Sequence, residues 1–407
     1  MNGRANRSAL ACFTAIFLAD FLVRTAYLAA KYPALTLFTY NLGASELLLG
    51  TIVSVSVLTG VFTKPLIGFL SDRVGHGSWL IGGTGLFAIT PPLYLLVPDT
   101  DTLVALRLFH GMATAIYGPI TLAFIAGLDD TPRAEWFGWF GLARQGAAIV
   151  APLIGGVMLS AWDPALVIAA TSLVACCAFV PVIYAVKGAR FTAPIRKADP
   201  SLRDAIGAIL QSRQFAIFGA MELTSRIGVY AVKVFLPLAI IQNGGTPLEA
   251  GGFLAAQEAT AAVLRPIAGR IADRHGVALY IAAAGLSILG ASLFMLPATL
   301  ERYGAWVVAG SIGVGQGLYE PVALALIARS VGTESHGLAF GTVGSLRNLG
   351  KILGPVAGGA GILAMSFDTV FTLLGLAPVS AVVLLLLAEP RLRKERGRLG
   401  SDGMNIP

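Results

Sequence analysis

Charge is what this sequence has least of. Of 407 residues only 13% are Asp, Glu, Lys or Arg, whereas 56% are hydrophobic. A soluble chain of this length carries charge at about a quarter of its positions, so most of this surface faces lipid. Cysteine is scarce too. Cys12, Cys176 and Cys177 all lie in apolar runs, which argues against a disulfide framework or a metal site and predicts buried, inert thiols. No G-x-x-x-x-G-K-[ST] loop occurs, which argues against ATP as the energy source. No nucleophile–base or metal-ligand constellation is recognisable, so neither an enzyme, a metal nor a cofactor is expected. Met1 to Ser8 lead straight into a long apolar stretch without a clean cleavage site, and read as a short cytoplasmic tail before a first span.

A helix needs about 20 apolar residues to cross a bilayer. Such runs predict an all-α membrane protein of twelve spans, at roughly 9–40, 46–70, 78–97, 101–127, 136–160, 164–186, 214–241, 248–271, 277–296, 303–329, 337–363 and 367–388. The loops between them alternate in charge. One set holds Arg73 with His76, Arg133, Lys187 to Arg203, Arg274 with His275, Arg329 and Arg391 to Arg398, while the other holds only Arg302. The positive-inside rule turns the first set, and both termini, toward the cytoplasm, with a bacterial inner membrane expected. The net charge of +7 is then topological, and nucleic acid has no part in it. The expected units are 1–186, a six-helix bundle; 187–213, a cytoplasmic linker; 214–388, a second bundle; and 389–407, a cytoplasmic tail. Within the linker, Leu202, Ala205, Ile206 and Ile209 share one face of an interfacial amphipathic helix.

The two bundles repeat each other. Asp20, Arg24 and Lys31 recur as Glu222, Arg226 and Lys233, each shifted by 202. Asn41-Leu-Gly43 matches Asn243-Gly-Gly245, and Lys64-Pro-Leu-Ile-Gly68-Phe-Leu-Ser-Asp72-Arg73-Val-Gly75 matches Arg265-Pro-Ile-Ala-Gly269-Arg-Ile-Ala-Asp273-Arg274-His-Gly276. Tyr117-Gly-Pro119 matches Tyr319-Glu-Pro321. Gly141-Leu-Ala-Arg144-Gln145 and Ala151-Pro152-Leu-Ile-Gly155-Gly156 match Gly344-Ser-Leu-Arg347-Asn348 and Gly354-Pro355-Val-Ala-Gly358-Gly359. Six spans per half give both halves one orientation, related by a pseudo-two-fold along the membrane normal with a path between them.

At these residues the chain resembles the major facilitator superfamily. Gly68 to Gly75 resembles that family's loop 2–3 signature, G-x-L-x-D-R-x-G, and Gly269 to Gly276 is its copy in loop 8–9. Arg107-Leu-Phe-His-Gly111 is similar to the fourth-span R-x-x-x-G signature. Ala151 to Gly156 is similar to the G-P-x-x-G-G signature of antiporters and exporters, with Ala in place of its first Gly. The resemblance implies a secondary transporter whose first and seventh spans line a central path. The loop motifs, with Asp72, Arg73, Asp273 and Arg274, would act as a cytoplasmic latch. Pro152, Gly155, Gly156, Pro355, Gly358 and Gly359 would form packing seams.

Charges inside spans point to the site, because each costs about 3 kcal/mol or more at the bilayer centre. Asp20 lies roughly 16 Å into the first span, with Arg24 one turn further on the same face, and Glu222 with Arg226 repeats the pair. Arg24 and Arg226 suit an anion gripped from both halves, whereas Asp20 and Glu222 suit protons or a cation. Internal salt bridges that fix the helices are the structural alternative. Arg107 is a further partner for Asp20, with His110 beside it in a packing role. Arg144 and Arg347 are cavity candidates by symmetry. Glu258, Glu320 and Lys351 have no counterpart in the first half. Glu320 reads as a proton site, or else as the partner of Lys351 or Arg347. Lys31 and Lys233 read as anchors or mouth charges at the outer surface, and Lys64 and Arg265 as gate, cavity or snorkelling residues. The expected function is proton-coupled export of a small or amphipathic organic compound by a monomer. Its rivals are uptake or exchange of an organic anion, and a non-transporting receptor or scaffold.

Overall fold

The computed structural model describes residues 2–128, 134–189, 213–300, 304–329 and 336–383, almost wholly helical. The first bundle comprises α1 (Asn2–Ala29, a wide turn Ala30–Leu35, then Thr36–Asn41), α2 (Glu46–Val74) and α3 (His76–Ile89 with a tight turn Pro91–Leu96). It continues with α4 (Thr100–Ala126), α5 (Ala134–Leu159) and α6 (Pro164–Cys177 with Phe179–Gly188). The second comprises α7 (Arg213–Gln242), α8 (Pro247–His275), α9 (Ala278–Met295), α10 (Gly304–Arg329), α11 (His336–Ala364) and α12 (Phe367–Val383). Apart from the start of α1, seven residues earlier than expected, and the end of α12, whose described part stops at Val383, these limits fall within about four residues of the sequence expectation. The linker helix over 201–212 and the tail over 389–407 lie outside the described residues.

Among the described residues, eight helices are long and apolar enough to cross a bilayer on their own. In α8, α10 and α11 the apolar run is interrupted by Glu258, Arg265, Glu320 and Arg347, whose charges pair inside the protein. Large apolar side chains such as Phe62, Leu173, Val180 and Val263 point outward, where lipid satisfies them. Cys176 and Cys177 also point outward, contrary to the expectation of burial, and only Cys12 is buried. An apolar run identifies a membrane helix but does not say which of its faces meets protein.

Helix starts carry local signals. Ser45, Asp99 and Asp163 cap α2, α4 and α6, and Thr246 forms a capping box with Glu249 on α8. Helix ends use glycine: Gly75 and Gly276, the last residues of the two loop motifs, have φ of +96° and +65°. Gly43 pairs in the same way with Gly244, one residue before the match read from sequence. In α1, Pro33 removes an N–H and pushes Tyr32 out of helical geometry to φ −136°, ψ 116°.

The face of the molecule that bears the arginine-rich loops is termed here the basic face, and its opposite the far face. One apolar core near the far face is shared by both bundles, joining Leu35, Phe38 and Ile52 to Phe235, Leu236 and Phe253. Toward the basic face the core divides. One cluster holds only first-bundle residues, such as Ile16, Phe124 and Phe140, and another only second-bundle residues, such as Phe218, Ala272 and Leu326.

Candidate functional site

The bundles meet along two seams, α2 with α11 and α5 with α8. Glycine makes both approaches possible. A Cβ on Gly359 would lie 2.2 Å from the Glu46 carbonyl oxygen, and one on Gly251 would lie 2.1 Å from that of Pro152. The expected packing motifs divide their work here. Gly155 and Gly358 pack within their own bundles, on Ala29 and Phe235, while Gly156 and Gly359 pack across to Pro247 and Glu46.

Between the seams lies a cavity of about 510 Å³, lined by residues of both bundles. Beside it, Asp20, fully buried, accepts from Arg24 Nε at 2.6 Å and lies 3.6 Å from Arg144 Nε. Glu222, equally buried, accepts from Arg226 Nε at 3.0 Å and Arg347 Nε at 2.5 Å. The repeat therefore places one carboxylate between two arginines in each half. Each carboxylate also has one oxygen, Asp20 Oδ1 and Glu222 Oε2, buried without a hydrogen-bond partner among the described residues.

The second half extends its cluster. Glu320 lies 2.9 Å from Arg226 Nη1 and 2.8 Å from Arg265 Nη2. Its partners are thus Arg226 and Arg265, in place of the Lys351 or Arg347 weighed from sequence. Glu258 holds Lys233 at 2.5 Å and accepts from Gln145 Nε2 of α5 at 3.0 Å, while Arg265 donates to the Gln145 side-chain oxygen. A chain of alternating charge thus runs from Arg347 to Lys233 and crosses to the first bundle at Gln145.

Arg107 is not a partner of Asp20. It donates to the carbonyls of Ile52 and Val53, to Ser56 Oγ and to the Tyr94 hydroxyl. Gly111, its companion in the fourth-span motif, packs on Ser56 and Thr59 of the same helix, α2. Both residues thus join α4 to α2. His110 shares a 3.1 Å hydrogen bond with Tyr94. Lys31 and Lys233 are not surface anchors. Lys31 is buried, and both line the cavity with Lys64 and Lys351. Asp273 and Arg274 are exposed near the basic face. The side chains of Asp72 and Arg73 lie outside the described residues.

Tyrosines were missed in the sequence. Tyr27, Tyr32 and Tyr230 line the cavity, with Lys31 5.3 Å from the Tyr32 ring and Lys351 5.7 Å from that of Tyr230. An aromatic one turn after Arg24 and one turn after Arg226 was the available signal, as Tyr27 and Tyr230.

Known proteins of similar sequence include resistance proteins. The chain is 25% identical over 371 residues to a class G tetracycline resistance protein of Vibrio anguillarum, covering 85% of this chain and 87% of the relative. It is 23% identical over 373 residues to the multidrug resistance protein MdtG of Citrobacter koseri, covering 88% and 90%. In fold it matches a peptide transporter POT with TM-score 0.75 at 15% identity, covering 93% of this chain and 94% of the other. A bacterial homologue of the human lysosomal transporter Spinster, solved inward-facing and unoccupied, matches with TM-score 0.69 at 15% identity, covering 94% and 95%. The family model described as Major Facilitator Superfamily matches residues 12–311 and 218–403. With these matches across nearly its whole length, the chain belongs to the Major Facilitator Superfamily.

Proposed function

We propose that the protein exports a small organic compound by alternating access, driven by protons taken up at Asp20 and Glu222. One observation carries the alternating-access reading: the bundles share a core near the far face, keep separate cores toward the basic face, and enclose a cavity between them. That arrangement supports a state accessible from the basic face, which loop charge assigns to the cytoplasm. Rocking about the glycine seams would then expose the cavity to the far face. The proton reading is supported by the two carboxylates, each with an oxygen free to take a proton inside the membrane. Protonation would weaken each carboxylate's hold on its arginines and so bias the two states differently. The export direction is supported by the resistance proteins among the relatives. A bacterial inner membrane, a monomer and cytoplasmic termini complete the reading.

Proteoliposomes with an imposed pH gradient test it. Proton movement evoked by an exported solute should fall at least tenfold in Asp20→Asn and in Glu222→Gln. Wild-type flux in the double variant would contradict the coupling role.

A further inference from the structure

The charge of the cavity is lopsided, and the imbalance rests on lysine. Arg24, Lys31, Lys64, Arg144, Lys233 and Lys351 line it, against the carboxylate of Glu258. Three of these six cations meet a carboxylate: Arg24 and Arg144 share Asp20, and Lys233 is closed by Glu258. Lys31, Lys64 and Lys351 make no salt bridge among the described residues. Lys31 is only 6% exposed, with Tyr27 and Tyr32 as its nearest rings at 5.8 and 5.3 Å. A ring face offers a cation about 0.5–2 kcal/mol but no neutralising charge. Three ammonium groups around one cavity inside a membrane repel one another, and a ligand of opposite charge relieves that repulsion.

We infer that the cavity binds an organic anion with at least two acidic groups, held by Lys31 and Lys64 from the first half and Lys351 from the second. The inference rests on the transporter reading above and names the class of its substrate. The grip is not the arginine pair weighed from sequence. Arg226 is closed between Glu222 and Glu320 and does not line the cavity. With Lys31 and Lys64 on one bundle and Lys351 on the other, an anion with two acidic groups has a cation on each side to meet each group. Only a ligand touching both halves holds them at a fixed separation, which gives it the differential affinity that alternating access requires. Phe87, Leu254 and the tyrosine rings supply apolar wall for the carbon body.

Binding to purified protein in nanodiscs tests this without requiring transport. The probes are isophthalate as an aromatic dianion, benzoate as its monoanion, inorganic phosphate, and benzyltrimethylammonium as a cation of similar bulk. Isophthalate should raise the unfolding midpoint and bind at least tenfold tighter than benzoate or phosphate, less tightly as salt rises. Its affinity should fall tenfold or more in Lys31→Gln and in Lys351→Gln, while Lys31→Arg retains most of it. An unfolding midpoint measured without ligand identifies any variant that fails to fold, and the Lys31→Arg protein keeps the comparison open in that event. Benzyltrimethylammonium binding in preference to isophthalate, no isophthalate binding, or wild-type binding in the Lys31→Gln/Lys64→Gln/Lys351→Gln variant would each overturn the inference. If isophthalate binds but proteoliposomes show no solute flux, the transporter reading fails and the anion site stands. If solute-evoked proton flux persists without isophthalate binding, the reverse holds.

Discussion

Among the described residues Arg107 is the bulkiest fully buried side chain, and its hydrogen bonds to Ile52, Val53, Ser56 and Tyr94 go to neutral groups of α2 and α3. Removing it takes a donor from two carbonyls, a serine and a tyrosine inside a membrane protein, at about 1 kcal/mol or more for each lost bond. Arg107→Ala should therefore lower the unfolding midpoint by roughly 5 °C or more, with Arg107→Lys recovering part of the loss. An unchanged midpoint in Arg107→Ala would show that these bonds contribute nothing net. Sequence made Arg107 conspicuous without revealing its partners, because carbonyls leave no trace in residue type. Asp20 with Arg24 and Glu222 with Arg226 were legible as neighbours one helical turn apart. Glu320 was not: its arginines come from α7 and α8, and no spacing along the chain links three helices. Lys31 shows the same limit differently. Its position nine residues before Tyr40 already put it well below the end of α1, but only the packing of α1 shows that it faces the cavity.

At the level of elements, the seams between bundles set what can move. Gly359 and Gly156 allow backbone to touch backbone near the far face, and a larger side chain there has only another helix's main chain to displace. Gly359→Val should therefore part α2 from α11 and favour opening at the far face. Phe38, buried in the shared core, reports this when replaced by cysteine in a cysteine-free background. Its labelling by a membrane-impermeant maleimide should rise severalfold in Gly359→Val. It should not change in Gly82→Ala, where an added methyl meets open space. Equal labelling in the two variants would contradict the seam's role. The Pro-x-x-Gly-Gly motifs were visible in the sequence as packing signals. Which glycine of each pair faces its own bundle was not visible, since adjacent residues point to different helix faces and only the neighbours decide between them.

Across the whole molecule, the repeat is kept where it forms the bundles and broken where it forms the site. Carboxylate, arginine pair, seam glycines and the caps of α2 and α8 recur in both halves, whereas Glu258, Glu320 and Lys351 occur in the second alone. Twelve spans and their two-fold could be read from apolar runs and a 202-residue shift, because both are properties of sequence order. The far-face core could not be read that way, since it joins residues about 200 positions apart through shape alone. That core is the centre of the account: it closes one face while the other stays divided. Spin labels test it directly. Ser78 and Tyr280 are exposed on opposite bundles near the basic face, as Leu96 and Met295 are near the far face. Pulsed electron resonance on each pair should show opposed changes when the protein is acidified or carries Asp20→Asn with Glu222→Gln. The Ser78–Tyr280 distance should shorten as the Leu96–Met295 distance lengthens. Both distances moving together, or neither moving under either condition, would contradict it.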